Sequence, residues 1–198
     1  DQWCDYNEVY YNICHANDGA GINIFDGANN NIYNNTLWGN MLNPGKSHAY
    51  RAELVLATDY VHNVNRVDNI NIMNNIIVAN DKNNYAIYVG DLTAKNNLRI
   101  NNNLLFNTQE SDFYYFGGKR GKDVNIFDTA QSAKSMNFSK NPEFIKNPPL
   151  RLSDFMVARS SICIGKGIFW GQVRDILGKK IDEKSLISLG AIESGDNN

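Results

Sequence analysis

The sequence predicts an all-β fold of the solenoid kind, in which short strands repeat about three to a turn. Three observations predict it. Asparagine supplies 32 of the 198 residues and alternates with Ile, Leu, Val and Tyr, the pattern of ordered side chains at fixed positions and not of a low-complexity tract. Four segments align without gaps around one asparagine, the mark of a repeat architecture. Each runs into a second apolar piece of period-two alternation, while no sustained 3.6-residue period occurs in residues 1–127, so the units are strands and not helices.

The aligned segments are Val9–Asn17, Ile32–Asn40, Ile72–Asn80 and Ile100–Asn107, registered on Asn12, Asn35, Asn75 and Asn103. Their spacings of 23, 40 and 28 fit a unit of about 23 residues with insertions of 17 and 5. Stacked units lie about 4.8 Å apart. An asparagine at the same bend of each unit can pass amide hydrogen bonds along the stack and also tolerates the left-handed backbone of a bend. Apolar residues then stack inward, Val9, Ile32, Ile72 and Ile100 in one column and Cys14, Leu37, Ile77 and Leu105 in another. The second pieces, from Gly21, Glu53, Ala86 and Phe113, form the next strand of each unit. Residues 1–127 are thus read as the repeats and 128–198 as a strap with a final turn, closing one domain.

A net charge of −2 offers no basic field to nucleic acid. No run of 18 apolar residues exists to span a bilayer. Cys4, Cys14 and Cys163 form no CxxC pair, which argues against zinc or redox motifs. The chain opens on Asp1-Gln2-Trp3-Cys4, neither an initiator Met nor a signal peptide. Its first repeat would expose an uncapped end, so further N-terminal sequence or a partner chain is expected.

The repeat Ile-x-Asn-Asn-x-apolar-x-x-Asn followed by Gly-Ile-x-apolar resembles that of secreted bacterial right-handed parallel β-helix proteins, among them polysaccharide lyases and glycoside hydrolases. The C-terminal end resembles them too. Asn141-Pro142-Glu143-Phe144 with Leu150-Arg151-Leu152 is similar to their Asp-Pro-x-Phe … x-Arg-Leu strap. Ser160-Ser161-Ile162-Cys163-Ile164-Gly165 is similar to their Ser-Pro-x-Ile-x-x-Gly, and Asp175–Gly178 with Leu189–Glu193 to their closing Asp-x-x-Gly … Ile-Gly-Ala-x-Glu. Asn141, Ser161 and Ser188 depart from the pattern, which has Asp, Pro and Asp there. The resemblance implies a right-handed parallel β-helix with an irregular C-terminal strap, a secreted or cell-surface bacterial location, a natural end at the C-terminus, and polysaccharide as substrate or ligand.

It also implies a binding groove over the strand that follows the asparagine bend. If Ile22, Leu54 and Ile87 point inward, then Asn23, Val55 and Tyr88 point outward, as do Gly21, Glu53 and Ala86. Glu53 is the leading candidate carboxylate, with Asp26 and Asp91 at strand ends; stacking would put such groups about 5 or 10 Å apart, separations that bracket retaining and inverting hydrolysis. A lyase instead needs a cation on the uronate and a base for the C5 proton, roles open to Arg51 with Lys46, His48 or Tyr50. Tyr88 and Tyr115 are candidates for stacking on sugar. Asn23, Lys46 and Tyr50 are further binding candidates, and Lys119-Arg120 reads as a basic turn within reach of a uronate. The bland alternatives are a solvated Glu53–Arg51 pair, and Asp26 and Asp91 as ordinary turn residues beside Gly. Calcium is the one cofactor the oxygen-rich composition suggests, without EF-hand spacing. Neither the paired-Asp and Gly-His-Gly pattern of polygalacturonases nor the Asp-Pro-His pattern of alginate epimerases is present. The expected activity is polysaccharide cleavage by β-elimination or hydrolysis; the alternative is a non-catalytic carbohydrate-binding, adhesin or tailspike-like module.

Overall fold

The computed structural model describes residues 4–43, 50–58, 66–130, 136–171, 173–184 and 186–194. It is all-β, and its strands come in threes. The first repeat supplies β1 (Glu8–Tyr10), β2 (Ile13–His15) and β3 (Ile22–Phe25). The second supplies β4 (Asn31–Tyr33), β5 (Thr36–Trp38) and β6 (Ala52–Ala57), and the third β7 (Ile70–Met73), β8 (Ile76–Ala79) and β9 (Tyr85–Val89). The fourth supplies β10 (Leu98–Asn101), β11 (Leu104–Asn107) and β12 (Tyr114–Phe116), after which β13 (Lys119–Gly121) turns back. The three strands of each repeat go to three different sheets, ordered β1-β4-β7-β10, β2-β5-β8-β11 and β3-β6-β9-β12-β13. Pairing between repeats is parallel; β13 runs antiparallel to β12.

The register follows the alternation read from the sequence. Val9 pairs with Ile32, Ile32 with Ile72 and Ile72 with Ile100. Cys14, Leu37, Ile77 and Leu105 form the second column. These columns and Leu54, Leu56, Ile87 and Val89 of the third sheet make one core.

The asparagines between the first and second sheets form a continuous ladder. Asn12 donates its backbone N–H and its side-chain amide to Oδ1 of Asn35, both at 3.0 Å. Asn35 does the same to Asn75, Asn75 to Asn103, and Asn103 to Asn137, a fifth member the alignment of repeats does not include. The two roles expected of one asparagine are divided between two neighbours. The left-handed residue is the one before the ladder: Tyr11, Asn34, Asn74 and Asn102, with φ of 50°, 53°, 59° and 53°.

Those left-handed asparagines hold the C-terminal strap. Asn34 donates to the carbonyls of Ser188 and Gly190, Asn74 to that of Ile168 and Asn102 to that of Lys166. The strap buries Phe155, Val157, Cys163, Leu189 and Ile192 against Trp38, Ile76, Val78 and Leu104 on the second sheet. Gly190, at φ +89°, leaves no room for a side chain, since a Cβ would meet Thr36 Oγ1 at 2.7 Å. The closing motif has a structural reason. Asp175 accepts from the N–H groups of Leu177, Lys179 and Glu193, and Glu193 accepts from the Ser188 N–H and the Tyr11 hydroxyl. Among the described residues no helix is long and apolar enough to cross a membrane.

Candidate functional site

The outer face of the third sheet carries a stripe of rings, one or two per repeat. Tyr50 lies 6.1 Å from Phe25 and 4.6 Å from Tyr88, and Tyr88 stacks on Tyr115 at 4.5 Å with the planes 7° apart. Tyr115 pairs in register with Tyr88. Stacking follows from the roughly 4.8 Å spacing of paired strands, which brings equivalent rings to van der Waals contact. The faces that Tyr88 and Tyr115 turn toward each other are occupied by this stack. The Tyr115 hydroxyl donates to Asp91 at 2.8 Å. Asn23 is exposed beside the stripe, while Val55 points the same way but is buried among Phe25, Tyr50, Tyr85 and Tyr88.

Glu53 is not on this face. It is 0% exposed, and so is Ala86, the equivalent residue of the next repeat, which sits in the main core. Strict alternation fails at the start of the strand, where the chain enters from the corner. The N–H groups of both Ala86 and Ile87 bond to the Phe113 carbonyl, so two successive residues turn inward, the geometry of a bulge. The Glu53 carboxylate accepts from the Asn40 N–H at 2.9 and 3.1 Å and from the Asn40 amide. It therefore takes the place that a later asparagine fills in the neighbouring ladder, beyond Asn17 and Asn40. Burial pushes its carboxyl up to about 8, against the pull of the Asn40 donors. The solvated pair with Arg51 is absent too: Arg51 is exposed, and among the described residues no ion pair joins it to Glu53.

The expected trio of carboxylates does not converge. Asp26 and Asp91 follow the far ends of β3 and β9, level with Thr58 by the strand register, and Glu53 is five residues upstream of Thr58, roughly 16 Å along an extended strand. Asp26 is buried at φ 53° and accepts from the Thr58 hydroxyl, as a turn residue does. Lys46 and His48 lie outside the described residues. Among those described, no group of three His, Cys, Asp or Glu side chains could hold a metal ion.

What the structure brings together is a groove at the entrance of the third-sheet strands. One cleft of about 320 Å³ is lined by Asn40, Arg51, Asn80, Asp81, Asn83 and Asn84. A second, of about 460 Å³, is lined by Lys82, Asn83, Tyr85, Asp112, Arg120 and Lys122. They meet at Asn83. The 81–84 loop between them is held from below, because the Asn107 amide donates to the carbonyls of Asp81 and Asn84, both at 2.9 Å. An Asx turn from Asp81 to the Asn83 N–H, at 2.7 Å, shapes the loop itself. Gly117 and Gly118, at φ +54° and +83°, make the tight turn that returns β13, so Lys119 and Arg120 are strand residues and Arg120 pairs with Tyr115. Three cations and one carboxylate line the second cleft, a local excess of positive charge on an acidic chain.

Of the expected residues, Arg51 and Arg120 line this groove. Lys82, Asn83, Asn84, Asp112 and Lys122 escaped the repeat pattern because they lie in the connections between strands. The polar run Asp81-Lys82-Asn83-Asn84, between a ladder position and a strand, was the available signal. No protein-family model, characterised protein or solved structure matches the chain.

Proposed function

We propose that the three sheets are the faces of a right-handed parallel β-helix, and that its groove at the entrance of the third sheet binds an acidic polysaccharide. The observation that carries this reading is the content of the joined clefts. Arg51, Arg120, Lys82 and Lys122 suit carboxylate groups, the two arginines in bidentate fashion. The amides of Asn80, Asn83 and Asn84 both donate and accept, as sugar hydroxyls require. Tyr85 adds an apolar body with a polar tip. The clefts are also concave and of the size expected for small-ligand sites. A secreted or cell-surface bacterial setting fits such a ligand and belongs to the same proposal.

The test is binding of polyuronates by calorimetry, with a neutral glucan of matched length as control. Micromolar or tighter binding to the polyuronate alone, weakened at least tenfold in Arg120→Ala, is the expected result. Equal binding to both polymers, or an unchanged affinity in Arg120→Ala, would refute the reading.

Cleavage of the same polymer is the second reading, favoured by the cations and Tyr85 sharing one groove, since β-elimination needs a cation on the uronate and a base near it. Growth of the ultraviolet absorbance of unsaturated uronate would establish it. Hydrolysis by the Glu53, Asp26 and Asp91 carboxylates has no geometric support.

A further inference from the structure

Half of the large hydrophobic side chains exposed among the described residues fall within residues 168–186, a short stretch of the strap. Its most ordered part is a hairpin. The Ile181 N–H donates to the Val173 carbonyl at 2.9 Å and the Asp175 N–H to that of Lys179 at 3.0 Å, so Val173 and Ile181 close the base and residues 175–178 make the turn. The turn is tightly held. The Gly178 N–H donates back to the Asp175 carbonyl at 3.0 Å. Asp175 Oδ1 accepts from the N–H groups of Leu177 at 3.0 Å and Lys179 at 2.7 Å. Gly178 supplies the left-handed backbone the turn needs, at φ +81°. The Ile176 N–H donates to the Ala191 carbonyl, which ties the turn to the body of the strap.

This turn carries side chains ill suited to water alone. Exposed turn tips ordinarily hold small or polar residues. Here Ile176 and Leu177 stand side by side, 38% and 49% exposed, with Val173 71% exposed at the base. Arg174 and Lys180, both exposed, meet across the hairpin as an antiparallel bridge, and like charges directly opposite each other destabilise a strand pair. The carboxylate of the hairpin does not relieve them. Asp175 is buried and accepts from the N–H groups of Leu177, Lys179 and Glu193. Among the described residues no ion pair joins Arg174 or Lys180. Arg174 donates to the Gly178 carbonyl at 2.8 Å, which fixes its guanidinium next to the apolar tip. Asp182 and Glu183 come after Ile181, past the base of the hairpin, and Asp182 accepts from the Lys184 N–H.

We propose that this hairpin docks the protein on an anionic phospholipid surface, with Ile176 and Leu177 entering the boundary between headgroups and acyl chains and with Arg174 and Lys180 on the headgroup phosphates. The two observations ask for two halves of one partner. The opposed cations ask for an external anion, and the apolar tip asks for hydrocarbon directly beneath that anion. A bilayer of acidic lipid supplies both within the length of a side chain. It also accepts apolar side chains at uneven heights, whereas a folded partner has to match each of them in shape. Trp170, exposed shortly before Val173, is of the residue type that settles at the same boundary. The docking is peripheral, since a turn of this length reaches only the interface. The groove is built by connections of the third sheet and not by the strap, so the proposal is independent of what the groove binds.

The test is co-sedimentation of the full chain with vesicles of equal parts phosphatidylcholine and phosphatidylglycerol, beside vesicles of phosphatidylcholine alone. The expected result is binding to the mixed vesicles, at least about tenfold weaker on phosphatidylcholine and weakened by salt. Ile176→Ser with Leu177→Ser, and separately Arg174→Gln with Lys180→Gln, are each expected to lower it at least about tenfold. All four side chains are exposed, so both double variants should keep the urea midpoint of the parent chain, which separates lost docking from lost folding. Without any variant, amide exchange in residues 173–181 should slow when mixed vesicles are added. Equal binding to the two kinds of vesicle would overturn the proposal. So would no binding at millimolar lipid, full binding by either double variant, or unchanged exchange in the hairpin. A mass that doubles on concentration, lost in the Ile176 and Leu177 variant and unaccompanied by vesicle binding, would assign the tip to a second copy and overturn it as well.

Discussion

Each ladder asparagine serves several buried groups at once, which makes it costly to replace. Asn75 accepts from the Asn35 N–H at 2.9 Å and amide at 3.0 Å, while its own amide donates to Asn103 and to the Ile32 carbonyl, both at 2.9 Å. Asn75→Ala leaves a backbone donor and a backbone acceptor unpaired in the core, at about 1–3 kcal/mol for each stranded group. A loss of about 3 kcal/mol is expected in urea unfolding. The control is Asn71→Ala, which removes one part-buried bond to Asn31 and is expected to cost under about 1 kcal/mol. Glu53 makes the second prediction at this scale. Its carboxyl is pushed up to about 8 in the folded chain from an ordinary 4.5, so folding takes up a proton between those values. Its stabilising contribution is complete below about 4.5 and is lost as pH rises through about 8. The urea midpoint should therefore fall across that window, and Glu53→Gln should flatten the fall. An undiminished slope in the variant would transfer the effect to Glu193, which burial pushes up to about 7 in the same direction.

At the scale of the element, the ring stripe and the 81–84 loop do different work. The stripe is a column of contacting rings packed with Ala52, Val55 and Ala57, so its truncation is expected to act on stability. Tyr88→Ala breaks contacts with both Tyr50 and Tyr115; with lost burial added to two ring pairs of about 0.5–1.5 kcal/mol each, about 2–3 kcal/mol is expected. Tyr115→Phe keeps the stack and removes the exposed hydrogen bond to Asp91, with an expected change below about 1 kcal/mol. Thermal unfolding of the two variants separates packing from hydrogen bonding. The loop is held by Asn107 through two carbonyls. Asn107→Ala is expected to weaken polyuronate binding severalfold by loosening the floor between the clefts, although Asn107 lines neither. Wild-type affinity in that variant would show that the loop keeps its shape unaided.

For the whole molecule, the strap is part of the core and not an appendage. Deleting residues 166–198 would strip Leu189 and Ile192 from Trp38, Ile76 and Leu104. It would also remove the Glu193 carboxylate from Tyr11 and the carbonyls that cap Asn34, Asn74 and Asn102. A contiguous apolar face of that kind promotes association, so the truncated chain is expected to bind a hydrophobic dye and to aggregate at concentrations where the full chain does not. Solubility equal to that of the full chain would show the second sheet to be sufficient alone.

The repeats, the inward columns and the ladder positions were determined by the sequence alone, because a stacked architecture repeats the same local physics every 23 or so residues and so writes a period into the chain. Val9 with Ile32 and Asn12 with Asn35 needed nothing but that period. What lay between the periodic pieces was decided only by tertiary structure. Glu53 looked outward by alternation, yet the strand's entry from the corner turned it inward onto Asn40. Arg51 precedes β6, Lys82 belongs to the 81–84 loop and Arg120 to β13, and their meeting depends on how that loop and the β12–β13 turn fold back over the sheet. Alternation is a property of one strand and is lost at a bend. A groove is made by several chain segments, and their approach is set by contacts that no single stretch of sequence contains.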